Sequence, residues 1–172
     1  LFIDKLPLSL ALLPLIHLLF PDAKIILALR DPRDVIVSCF RNRFAMNAAM
    51  FEFLSLETAA QYYDAVMTLA AAARAKLPLT LHVLRYEDLV QDLRGTVASL
   101  LGFLGLEWTD DVLNHVETAK RRQIRTPSAS QVLRPIYESS IRQWRHYERQ
   151  LAPVMPLLER WVNGFGYEAK DG

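Results

Sequence analysis

Cysteine is nearly absent from this sequence: its 172 residues include one, Cys39. A single thiol excludes an internal disulfide framework and fits a reducing compartment, so a cytoplasmic location is expected. Glycine is also scarce, and the six residues present form no strand–turn–helix cradle for phosphate. Neither sign of charge dominates. A formal net charge of +1 excludes a polyanion binder acting through its bulk field. His115 and His146 have no partner at ligand spacing, so no metal site is expected. The one long apolar run, Leu6–Phe20, carries Pro14 and His17 and falls short of the roughly 18–20 residues of a membrane helix. No basic segment precedes it, so it reads as a buried helix, neither a signal peptide nor a membrane span. An opening this apolar, starting at Leu1 with no polar lead-in, reads as a chain cut from something larger. Low-complexity tracts, long linkers and internal repeats are missing too.

What is present suffices for one core. Hydrophobic residues make up 52% of the chain, and residues 1–172 are expected to lie in a single domain. The run KIILAL (Lys24–Leu29) is β-prone and leads directly into Arg30-Asp31-Pro32-Arg33-Asp34. Asp31 suits an N-cap and Pro32 the first helical position, with Asp34 three residues after the cap. A strand therefore runs into a helix that continues through Phe40. The same pattern returns at LHVLRYEDLV (Leu81–Val90), a strand ending near Tyr86, followed by Leu93, Val97, Leu100, Leu101 and Leu104 at helical spacing. Between these units, Thr58–Leu77 reads as a helix with Tyr63, Val66, Met67 and Ala70 on one face. Strands alternating with helices predict an α/β fold, with Lys24–Leu29 and Leu81–Leu84 as parallel neighbours and helices on both faces. Trp108 and Trp161 are expected to be largely buried. Ligands of such sheets sit at the C-terminal strand ends, where Arg30 and Tyr86 fall.

The stretch Lys120–Arg149 holds eight basic residues against two acidic ones, which points to an anionic ligand. Its first half, RTPSASQVLRP, reads as a loop. Its second half, from Ser139 or Ser140 through Trp144 to Leu151, reads as a helix. A guanidinium holds phosphate oxygens through paired, charge-assisted hydrogen bonds, and hydroxyls supply neutral donors. Arg30 and Ser38 can converge on one phosphate, while Tyr86 can stack on or hydrogen-bond a base. Taken singly, each has a plainer explanation: a solvated helix start, a surface serine, an edge aromatic. Cys39, inside an apolar helical stretch, reads as inert.

Together these segments resemble the sulfotransferase superfamily that uses 3'-phosphoadenosine 5'-phosphosulfate. FPDAKIILALRDPRDVIVSCF (Phe20–Phe40) is similar to its 3'-phosphate motif, and RYEDLV (Arg85–Val90) to its adenosine-side strand end. FIDKLPLSL (Phe2–Leu10) resembles the segment bearing an active-site lysine, and RTPSASQVLRPIYESSIRQWRHY (Arg125–Tyr147) the cofactor lid. The look-alikes are bacterial domains that often follow tetratricopeptide repeats, with tyrosylprotein sulfotransferases as more distant relatives. The resemblance implies a P-loop-like parallel sheet and sulfuryl transfer from that donor, without metal, to an acceptor hydroxyl or amine. It implies Arg30 and Ser38 at the 3'-phosphate, Tyr86 at the adenosine and Lys5 at the sulfuryl group. Ser128, Ser139 and Ser140 would close over the phosphates, with Trp144 anchoring the lid. Gln143 stands where relatives often carry a basic residue. The family's Pro-Arg/Lys-Ser-Gly-Thr-Thr type of phosphosulfate loop does not occur between Leu1 and Gly172. Residues 1–172 are therefore expected to be the C-terminal portion of a single sulfotransferase domain, an incomplete fold without its N-terminal strand and phosphate loop. The acceptor is left open among carbohydrate, protein tyrosine and small molecules, and tetratricopeptide repeats are a candidate N-terminal companion.

Two rival readings remain. A kinase-type nucleotide phosphotransferase would need a Walker-type loop and magnesium ligands, and neither is visible. A non-enzymatic basic module, for nucleic acid, would use Lys120–Arg149, yet Trp144 and Tyr147 have the spacing of core residues and no nucleic-acid partner is expected.

Overall fold

The computed structural model describes residues 2–42, 44–113 and 140–167. Strand β1 (Lys24–Leu29) and strand β2 (Thr80–Arg85) pair in parallel, from Lys24 opposite Thr80 to Leu29 opposite Arg85. Parallel neighbours need a crossover. It runs through α2 (Pro32–Arg41), α3 (Ala48–Phe51) and the long α4 (Leu56–Lys76). Alternation along β1 sends Ile25, Leu27 and Leu29 to one face. There Leu29 packs with Met67 of α4, with Val162 of α8 (Met155–Gly164) and with Tyr167, while Ile25 lies against Leu13, Ala70 and Ala73. On the opposite face α6 (Leu93–Leu104) stacks Phe103 on His82, and Lys24 Nζ donates to the Leu104 carbonyl at 2.9 Å. Helices thus stand on both faces of the sheet, although Lys24, Ile26 and Ala28 on the α6 side of β1 remain exposed.

The main core gathers Ile36 and Val37 of α2, Ala59 and Ala60 of α4, then Trp144, Leu151, Val154 and Leu158. Alanines at the contact let α2 and α8 approach α4 closely. Asp31 caps α2 as expected, accepting from the Arg33 amide at 2.9 Å with Pro32 in the first turn. Gly105 ends α6 in the left-handed region, at φ 74°, where its missing Cβ removes the steric cost.

Three expectations are corrected. Residues 6–20 do not form one buried helix. A 3-10 segment (Pro7–Leu12) runs into α1 (Leu13–Leu19), and the α1 contact buries Leu13 while Leu12, Leu15, Leu18, Leu19 and Phe20 stay exposed. Apolarity supplies the tendency to be covered, but covering needs a neighbour, and α1 meets one only along its Leu13 edge among the described residues. Trp108 and Trp161 are half-buried. Each keeps its indole N–H at a polar partner, Trp108 on Asp110 at 3.2 Å and Trp161 on Asp64 at 2.7 Å, which holds one ring edge toward solvent. The second half of the basic stretch is not a continuous helix either. Arg142 adopts φ 60°, and a 3-10 turn (Gln143–Tyr147) then precedes the short α7 (Glu148–Leu151). No described helix is long and apolar enough to cross a membrane.

Candidate functional site

Register builds the site. Because Leu29 lies opposite Arg85, the next residue on each chain segment emerges at the same sheet edge. Those residues are Arg30, between β1 and α2, and Tyr86, the first residue of α5 (Tyr86–Gln91). The Arg30 guanidinium sits 5.1 Å from the Tyr86 ring centroid. Its Nη2 donates to the Ser140 carbonyl at 2.5 Å and stands 3.8 Å from Asp34. Its Nε is buried without a hydrogen-bond partner among the described residues. A quarter of the Arg30 side chain remains exposed. An anion arriving here meets a charged fork already seated on a ring.

The other candidate residues are less tightly gathered. Ser38 is half-buried two turns along α2, where its Oγ lies 3.4 Å from Asn42 Nδ2. Ser140 joins Arg30 through its backbone carbonyl, not its hydroxyl. Lys5 stands exposed in the extended segment before the first turn, and no described hydrogen bond or ion pair ties it to Arg30, Ser38 or Tyr86. Ser128 and Ser139 lie outside the described residues, as does the RTPSASQVLRP stretch that carries Ser128.

Beneath Arg30 lies a buried polar layer. Asp31 binds the Arg33 side chain through both oxygens, from Nε at 3.0 Å and from Nη2 at 2.7 Å. The Arg33 guanidinium in turn stacks 3.7 Å from the Trp144 ring. Asp34, 1% exposed, accepts from the backbone N–H of Arg142 and of Trp144, each at 2.8 Å. Burial holds its carboxyl above the usual range, while the two amides and Arg30 pull the other way. Glu87 bridges the two strand ends to the C-terminal segment, accepting from the Asp31 amide at 3.1 Å and from the Tyr167 hydroxyl at 2.7 Å. Burial, then Glu87, pushes the Tyr167 hydroxyl up. Burial also pushes the Cys39 thiol up to about 11, which agrees with an inert side chain.

Asp34 and Glu87 were not singled out by sequence reasoning. Asp34 looked like a first-turn helix residue, and its true partners lie more than a hundred positions away. Glu87 sat inside the RYEDLV run without a distinguishing neighbour. No group of His, Cys, Asp and Glu fit to hold a metal ion occurs among the described residues. An open hollow of about 410 Å³ between β2, α5 and α6 is lined by Arg85 but also by Asp88 and Asp92, and includes none of Arg30, Ser38 and Tyr86. Its carboxylates suit a phosphate-bearing ligand poorly, so the strand-end pair is the better candidate.

The family model described as "Sulfotransferase family" matches residues 1–110. An uncharacterized protein of Aquifex aeolicus (strain VF5) is 32% identical over 158 residues, covering 91% of this chain and 20% of that protein. Protein-tyrosine sulfotransferase 1 of Danio rerio is 27% identical over 168 residues, covering 91% of this chain and 46% of that enzyme. The chain thus spans a fifth to just under a half of the length of these relatives.

Proposed function

The chain belongs to the sulfotransferase family, and on that premise we propose that it binds the adenosine and 3'-phosphate side of 3'-phosphoadenosine 5'-phosphosulfate for sulfuryl transfer to an acceptor hydroxyl or amine. The observation that carries this reading is the Arg30 guanidinium seated on Tyr86 at adjoining strand ends, with a buried Nε still lacking a partner among the described residues. In this reading Arg30 and Ser38 hold the 3'-phosphate and Tyr86 lies against the adenosine. The bond between sulfur and the 5'-phosphate bridging oxygen breaks as the acceptor oxygen or nitrogen bonds to sulfur. The acceptor's proton passes to a base that residues 1–172 do not identify. Lys5 stabilises the charge that builds on the bridging oxygen, an electrostatic role that needs no metal.

The 5'-phosphosulfate side calls for a loop that residues 1–172 do not contain, so this chain by itself should bind nucleotide weakly and turn over negligibly. The reading also makes the exposed flank of residues 6–20 a surface that further sheet structure covers. The test is calorimetric titration with adenosine 3',5'-bisphosphate. Arg30→Ala should weaken binding by about 1.5–3 kcal/mol, roughly ten- to a hundredfold, the worth of a charged hydrogen-bonded contact. Adenosine 5'-phosphate, lacking the 3'-phosphate, should bind wild type and variant alike. Equal affinity of the two proteins for the bisphosphate would overturn the assignment.

A further inference from the structure

We propose that Asp34 is a positioning residue of the nucleotide site, holding the 140–144 segment in the one arrangement that sets the Ser140 carbonyl against Arg30. The inference rests on the nucleotide reading above and adds to it a residue that touches no ligand.

The geometry is specific. Asp34 lies on α2, and each of its oxygens takes one amide of a segment more than a hundred residues away, Oδ2 from Arg142 and Oδ1 from Trp144. Between the two bonded amides the chain turns at Arg142, whose φ of 60° is a left-handed conformation that is costly for a residue with a Cβ. Such a turn persists where surrounding contacts over-determine it. Here the carboxylate fixes the N–H of Arg142 itself and of the residue two further on. The Trp144 ring is clamped as well, under the Arg33 guanidinium at 3.7 Å, and Arg33 is in turn locked on Asp31. The outcome is delivered at Arg30, whose Nη2 donates to the Ser140 carbonyl at 2.5 Å and faces Asp34 at 3.8 Å. With Nη2 pinned on one side and the Tyr86 ring below, the guanidinium cannot swing freely, and its remaining donors keep a fixed direction. A phosphate then meets a preorganised fork rather than a mobile one.

Asparagine at position 34 has the same shape but offers one acceptor oxygen, and its NH₂ would confront an amide N–H. Asp34→Asn should therefore release the 140–144 segment and with it the hold on the Arg30 guanidinium, while the arginine itself is unchanged. Adenosine 3',5'-bisphosphate binding to the full chain is compared across wild type, Asp34→Asn, Arg30→Lys and the double variant, at a temperature where circular dichroism shows all four folded. The expected result is an affinity loss of about five- to a hundredfold in Asp34→Asn, and clearly less than that factor when the same change is made on Arg30→Lys, because the two act as a unit. An unchanged affinity in Asp34→Asn, or the same factor lost in both backgrounds, overturns the proposal and leaves Asp34 a fold contact only. Failure of the nucleotide reading shows differently, as Arg30→Ala binding the bisphosphate as well as wild type. Should Asp34→Asn not fold, amide hydrogen exchange of the wild-type chain decides. Saturating bisphosphate should slow exchange at Arg142 and Trp144, and rates unmoved by the nucleotide overturn the proposal.

Discussion

The two ends of β1 border regions built on opposite rules. At its C-terminal end, Asp31, Arg33 and Asp34 are all buried, at 5%, 3% and 1% exposure, and each has hydrogen-bond or ion-pair partners. On its N-terminal side, Leu18, Leu19 and Phe20 are exposed at 76%, 60% and 64%. Charge is inside and hydrocarbon is outside, the reverse of the usual sorting. The buried charges are tolerable because they are paired and satisfied, and the pairing fixes where Arg30 points. The exposed leucines have no comparable neighbour among the described residues. One region is tightly specified apart from the Arg30 Nε; the other presents a surface that fits being covered.

Removing apolar volume from the well-packed side of β1 should have the largest effect. Leu158 on α8 is fully buried against Ile36, Ala59 and Trp144 in the main core. Leu158→Ala should lower unfolding free energy by about 2–5 kcal/mol, the transfer loss plus the cavity left behind. Urea unfolding followed by circular dichroism reads it, and a shift under 1 kcal/mol on that scale would mean that the core collapses around the gap.

A smaller effect is expected from the polar bridge. Glu87 holds the Asp31 amide and the Tyr167 hydroxyl with separate oxygens. Glu87→Gln can keep the Asp31 amide on its one oxygen, but its NH₂ can only donate to the Tyr167 hydroxyl. That displaces the hydroxyl's own proton and removes the charge from both bonds, so the change should cost about 1–3 kcal/mol. Tyr167→Phe removes only the hydroxyl and should cost less. If Tyr167→Phe proved the more damaging change, Glu87 would matter as an anchor for the C-terminal segment rather than for the strand ends.

Much of the well-packed side was legible in the sequence, and the physical reasons are local. KIILAL followed by Asp31-Pro32 marks a strand and a capped helix within ten residues, and the register that brings Arg30 to Tyr86 follows from two such units in parallel. The latch was not legible. Asp34 binds Arg142 and Trp144 across a chain separation that no spacing rule reaches, and the positive φ of Arg142, which breaks the expected helix, lies between those two bonded amides. Residues 6–20 misled for another reason. A run such as LPLSLALLPL reports the free energy of leaving water, not whether another element stands ready to cover it. Trp108 and Trp161 repeat that lesson at single side chains, because each indole N–H found a carboxylate at the surface.

The smallest expected effect tests the exposed side. Leu18 lies on α1 with 76% of its surface exposed, so replacing it removes little buried area. Leu18→Gln keeps a good helix former at the position and should change stability by no more than about 0.5 kcal/mol. Self-association is the property that should move, since the change interrupts the apolar patch formed with Leu15, Leu19 and Phe20. Sedimentation velocity at several concentrations should show less association for the variant than for wild type. A stability loss approaching that of Leu158→Ala would show that Leu18 is covered in solution, and the contrast between the two sides of β1 would then disappear.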